Sequence, residues 1–219
     1  MRFLRDNGLT IALMVLFLAS LCGMLVSGWS SQNEELAEHG APALSLLEFF
    51  LSGSFMSALF ENWESEFLQM ATYVILTAFL IQRGSAESKD PDGENPEDED
   101  PAEKANDPDT PWPVRAGGAI AWLYSYSLGL TLALLFLLSF VLHWLNSLTA
   151  TNEEALLHGQ DQIGAWEYLF DAQFWFESFQ NWQSEFLSTA LLVVLSIFLR
   201  HHGSPESKPV AAPIGKTGH

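Results

Sequence analysis

Residues Ile120 to Leu142 read IAWLYSYSLGLTLALLFLLSFVL, and the charge-free stretch around them extends from Ala116 to Asn152. At about 1.5 Å of rise per residue, this apolar run is long enough to cross a hydrocarbon layer roughly 30 Å thick. Trp122, Tyr124 and Tyr126 open it, and His143 and Trp144 close it. Aromatic residues at both ends are what a helix carries where it passes two headgroup regions. Leu9 to Val26 (LTIALMVLFLASLCGMLV) is a second run of the same kind, following Arg2 and Arg5. Its length, and a following Gly28-Trp29-Ser30 without a small-x-small cleavage site, favour an uncleaved anchor over a signal peptide.

Two shorter apolar segments, Phe67 to Gln82 and Phe186 to Leu199, each follow an acidic aromatic stretch. Read alone, either could be the core helix of a soluble protein. A repeat argues otherwise. Asn62-Trp63-Glu64-Ser65-Glu66-Phe67-Leu68 returns 119 residues later as Asn181-Trp182-Gln183-Ser184-Glu185-Phe186-Leu187. At that offset, residues 33–89 align with 152–208 without a gap and are identical at 24 of 57 positions. The first helices align at an offset of 121, Gly8-Leu9-Thr10 with Gly129-Leu130-Thr131, which sets His143 against Cys22. The expectation is an all-α polytopic membrane protein: four transmembrane helices from a duplicated two-helix unit, with outward amphipathic helices. An even number of spans per unit makes the two copies parallel rather than inverted.

All nine Lys and Arg lie before the first span, between the second and third, or after the fourth, and residues 29–62 and 145–181 contain none. The positive-inside rule then places both termini and the central linker in the cytoplasm. The expected organisation is a first repeat at 1–83 (spans 8–28 and 60–82), a linker at 84–114, a second repeat at 115–202 (spans 119–143 and 179–200) and a flexible cytoplasmic tail at 203–219. The linker holds 11 of the 27 acidic residues among repeated prolines, a composition that predicts a disordered tether. Each outward loop begins with Asn-Glu-Glu and His-Gly elements. It continues as an amphipathic aromatic stretch, Leu44 to Phe60 or Ile163 to Phe179. Two short helices meeting near Ser52-Gly53-Ser54 would let the first stretch lie along the interface, and Asp171 is a suitable N-cap in the second.

A net charge of -18 without a basic stripe excludes a nucleic-acid partner. One cysteine, Cys22, permits neither an intrachain disulfide nor an all-cysteine metal site. No phosphate-binding loop, dinucleotide fingerprint, nucleophile elbow or Cys-x-x-Cys occurs, which argues against an enzyme and implies no cofactor. The partners expected are the lipid bilayer, and a second copy or another membrane protein.

The candidate polar or ion site is Asn62, Glu66, Asn181 and Glu185. Asn62 and Glu66 share a helical face, and Glu66 and Glu185 would approach one another if their helices pair. Two such carboxylates would repel or recruit a proton or cation. The plainer reading makes them helix-start acids facing water. Trp63, Trp182, Trp122 and Trp144 are the candidate interface anchors. His39 and His158, at equivalent positions beside Glu34, Glu35, Glu38, Glu153 and Glu154, are candidate metal ligands, with a turn-forming His-Gly as the alternative. His143 reads as a packing or interface histidine, and His201-His202 as helix-end charge.

The NWESEFLQM segment, the string Gly84-Ser85-Ala86-Glu87-Ser88-Lys89-Asp90-Pro91 and the opening Met1-Arg2-Phe3-Leu4-Arg5-Asp6-Asn7-Gly8-Leu9 together resemble a bacterial family of small integral membrane proteins, domain of unknown function 6766. The resemblance runs nearly end to end. It implies a bacterial inner-membrane location and no activity, substrate or cofactor. The sequence therefore favours a structural or partner-binding membrane protein. The alternatives are a small transporter or channel with a proton or cation site at the paired glutamates, and an outward-facing metal-binding protein or enzyme.

Overall fold

The computed structural model describes residues 2–218, which are helical with no strand. The two terminal residues, included in the first-repeat and tail boundaries above, lie outside that range. In order come α1 (Arg2–Asp6), α2 (Gly8–Glu38), α3 (Leu46–Phe50), α4 (Gly53–Phe79), α5 (Trp112–Ala116), α6 (Gly118–Ser125), α7 (Ser127–Leu157), α8 (Ala165–Leu169) and α9 (Ala172–Phe198). The bounds of α2, α3 and α4 recur 119 residues later as those of α7, α8 and α9. That offset holds for the first helices too, so His143 corresponds to Met24 and not to Cys22.

Two of the helices, α2 and α7, are long and apolar enough to cross a membrane. In α4 and α9 the acids Glu61, Glu64 and Glu66, and Glu177 and Glu185, fall within an otherwise apolar length. Burial runs opposite to that of a soluble core. Leu9, Leu13 and Leu16 of α2 and Leu134, Leu137 and Leu138 of α7 are exposed, while Ser65, Ser139, Ser147, Ser178 and Ser196 are buried. Small polar side chains allow helices to approach closely.

The chain forms two compact units. One comprises the chain up to Phe60 together with Val141–Phe174. There the loop after α2 is latched by Asn33, whose side chain accepts from the Leu44 amide (2.7 Å) and donates to the Leu44 carbonyl (3.1 Å). Asn152 does the same for Ile163, at 2.9 and 3.1 Å. Trp29 Nε1 donates to Leu44 O (2.7 Å) and Trp144 Nε1 to Ala165 O (3.0 Å), so two tryptophans at non-equivalent positions anchor the two loops. Ser45 and Glu48 form a capping box on α3. A Cβ on Gly53 would lie 2.7 Å from Ala150 N, so the start of α4 sits against the backbone of α7. The helix that begins there does not stop after the interfacial stretch, as two short helices would require. From Ser54 to Phe79, and from Ala172 to Phe198, there is no Gly or Pro to end it, so each amphipathic stretch is a short helix, α3 or α8, followed after a break at residues 51–52 or 170–171 by the first part of one long helix. Asp171 Oδ1 caps α9 by accepting from the Gln173 amide (2.7 Å).

The other unit comprises Glu61–Phe140 and the chain from Trp175 onward. Its linker has local structure that composition does not lead one to expect. Short 3-10 turns occur at Pro96–Asp98 and Pro101–Lys104, and Lys89 Nζ reaches both Ala78 O (2.8 Å) and Asp98 Oδ1 (2.7 Å). The tail after α9 is seated by Lys208, 1% exposed, whose ammonium donates to Gly84 O, Ile214 O (2.8 Å) and Lys216 O (2.9 Å). Thr217 Oγ1 accepts from the Gly84 amide (2.8 Å), and the Gly218 amide donates to Ser85 O (2.9 Å). Ser85 is itself buried against Ser196 (2.9 Å between hydroxyls).

Candidate functional site

Within the second unit a polar seam joins α4 to α9. Helical periodicity gives α4 two candidate inward faces, one carrying Asn62 and Glu66 and its neighbour carrying Glu61, Glu64 and Ser65. The second face turns inward: Glu64 is 0% exposed and Ser65 3%, while Asn62 and Glu66 are exposed. Glu64 Oε1 accepts a hydrogen bond from Trp182 Nε1 (2.9 Å). Asn181 Nδ2 donates to Glu61, and Glu177 offers a carboxylate oxygen within 4.8 Å of one on Glu61. One turn further along, Gln69 Nε2 donates to Glu185 O (2.9 Å) and to Ser188 Oγ (3.1 Å).

Trp182 is held in position by rings, edge-on to Phe179 (5.4 Å between centroids) and Trp175 (6.2 Å) and near Phe136 (6.1 Å). Such contacts fix the indole so that its N–H points at one acceptor. Beyond Gln69 the seam opens into a cavity of about 420 Å³ between α4, α9 and the turn after α4. Gln69, Thr72, Tyr73, Thr77, Glu87 and Thr189 bring polar groups to its wall. At its far end Tyr73 OH donates to Glu87 Oε2 (3.4 Å).

Of the residues singled out in the sequence, Asn181 and Glu185 lie in this seam, whereas Asn62 and Glu66 sit on the exposed side of α4. Glu61, Glu64 and Glu177 were missed, whereas Gln69 and Ser188 stand at the three-residue helical spacing from Glu66 and Glu185. A signal for the first two was available. At the 119 offset Glu61 faces Gln180 and Glu64 faces Gln183, each pairing a carboxylate with its near-isosteric amide inside an otherwise matched segment. His39 and His158 do come together, with ring centroids 5.3 Å apart and planes at 74°. His143 is buried with its ring 5.0 Å from that of Phe174. Among the anchor candidates, Trp122 is exposed, Trp63 and Trp182 are half-buried, and Trp144 is committed to its loop carbonyl.

The seam can hold protons: carboxyl groups at one end, hydroxyls and amides along its length, and a carboxyl at the other. A family model described as a domain of unknown function, DUF6766, matches residues 1–219. No curated protein and no solved structure matches the chain.

Proposed function

The chain belongs to the DUF6766 family over residues 1–219, a membership that brings no activity with it, and from that premise we propose an integral membrane protein that relays protons along the seam between α4 and α9. Glu64 carries the proposal. A carboxyl group wholly removed from solvent on a helix that is otherwise membrane-compatible is expensive, and ionisable groups at such places mark proton or ion pathways. Its partner Trp182 supplies an N–H but no positive charge.

Four spans from a duplicated unit, in a bacterial inner membrane with both termini cytoplasmic, are the setting for this relay. Supporting that setting are the 119-residue periodicity of helix bounds, the exposed leucines of α2 and α7 and the confinement of basic residues to one predicted side. Glu61 and Glu177 then form the outward mouth. Tyr73 and Glu87 end the path towards the cytoplasm.

A structural, partner-binding role is the second reading, favoured by the same cross-helix bonds, since Asn181–Glu61, Trp182–Glu64 and Gln69–Ser188 would also fasten two helices together. The readings part in liposomes carrying the purified protein, an internal pH dye and a potassium diffusion potential. Relay predicts proton entry above that of empty liposomes, reduced at least tenfold by Glu64→Gln, whose amide oxygen still accepts from Trp182. Wild-type protein that leaks no faster than empty liposomes returns the seam to a purely structural role.

A further inference from the structure

The two histidines that follow α2 and α7 have an arrangement the seam does not use. In each, Nδ1 lies 2.9 Å from the carbonyl oxygen four residues earlier, Glu35 O for His39 and Glu154 O for His158. A carbonyl only accepts, so Nδ1 carries the proton and the lone pair is left on Nε2. A backbone carbonyl on the far nitrogen is also the usual support of a metal-binding imidazole, fixing tautomer and orientation. The next residues, Gly40 and Gly159, take φ of 67° and 66° and turn the chain away, so both rings stay exposed at a helix end.

Their surroundings favour a cation. No Lys or Arg occurs in residues 29–62 or 145–181, and Glu35, Glu38, Glu154 and Asp161 are near in sequence to one ring or the other. A polar cavity of about 420 Å³ adjoins His158, with Glu154, Asp161, Asn152 and Gln160 in its wall. Two imidazoles that each leave a lone pair on Nε2 supply the nitrogen part of the ligand chemistry of a borderline divalent ion.

We propose that His39 and His158 form an outward-facing site for a divalent transition metal of the zinc class, with the Nε2 atom of each as its nitrogen ligands and carboxylate or water completing the shell. The two halves of the chain contribute one ligand each.

The test uses the full chain without an affinity tag, in nanodiscs and with His201→Ala and His202→Ala as background, so that the adjacent histidine pair cannot bind. Zinc alone is titrated by calorimetry, and cobalt serves as an absorbing substitute. The proposal expects one ion per chain and a cobalt d–d spectrum with nitrogen ligation. It also expects at least about a tenfold loss of affinity in His39→Gln and again in His158→Gln, each removing one nitrogen. Both side chains are exposed, and circular dichroism establishes that the variants fold. Zinc binding unchanged in either single variant, or absent from the background protein, overturns the site.

Discussion

At the scale of single residues, Glu64 and Trp182 make the most informative pair. Trp182→Phe keeps the ring packing against Phe179 and Trp175 and removes only the N–H. Leaving a buried acceptor without this donor costs about 1–3 kcal/mol. A fall of that size in unfolding free energy, measured in detergent, is expected for Trp182→Phe and not for Gln183→Ala, whose side chain is exposed and whose amide donates only to Gln180 O in its own helix. Glu48 gives a pH-dependent counterpart. The Ser45 hydroxyl, followed by the Ser45 amide, holds its carboxyl below the usual range, so the folded cap favours the charged form. That contribution is complete above the ordinary Glu value, and it is lost as pH falls through the lowered one. The protection factors of the α3 amides, measured against intrinsic exchange at each pH, should therefore fall on acidification, and Ser45→Ala should move the Glu48 titration back up, as carboxyl NMR would record.

At the scale of elements, α4 depends on how closely its first turn meets α7. Because a Cβ at Gly53 would stand 2.7 Å from a backbone nitrogen, Gly53→Val should cost about 1–3 kcal/mol and lower the melting temperature. The tail depends on Lys208. In Lys208→Met three carbonyls lose a charged donor, and exchange protection at the Gly84 and Gly218 amides should fall at least about tenfold. These elements differ in how much of them could be read beforehand. The runs in α2 and α7 announce themselves by length and apolarity. By contrast α4 and α9 were recognisable only because the second copy repeats the first. Which face of α4 turns inward was not legible, because Glu64 and Glu66 lie on adjacent faces and the choice belongs to the partner helix. Nor was the seating of the tail, since Lys208 binds main-chain oxygens, which leave no trace in side-chain identity. The histidine pair was visible as a repeated position, but its 5.3 Å separation was not.

At the scale of the whole molecule, topology is the reading that unites charge, repeat and seam. On a Cys22→Ala background, Gln160→Cys should react with a membrane-impermeant maleimide in intact cells, and Asn106→Cys only after lysis; both positions are exposed. The reverse pattern would invert the orientation, and labelling of both in intact cells would remove the third span, which alone separates the two positions, from the membrane.

The Glu61/Gln180 and Glu64/Gln183 pairings bear on why the two halves share one polypeptide. Two identical subunits meeting about a dyad must place the same group at each related position, so a carboxylate on one is matched by a carboxylate on the other. A covalent tether frees each half to keep its own side chain, and here one half retains acids where the other carries neutral amides. Restoring sameness with Gln180→Glu and Gln183→Glu would give this seam the like-charge crowding of an unlinked dimer. On that view the acidic linker is what makes an asymmetric proton site affordable within a repeated scaffold.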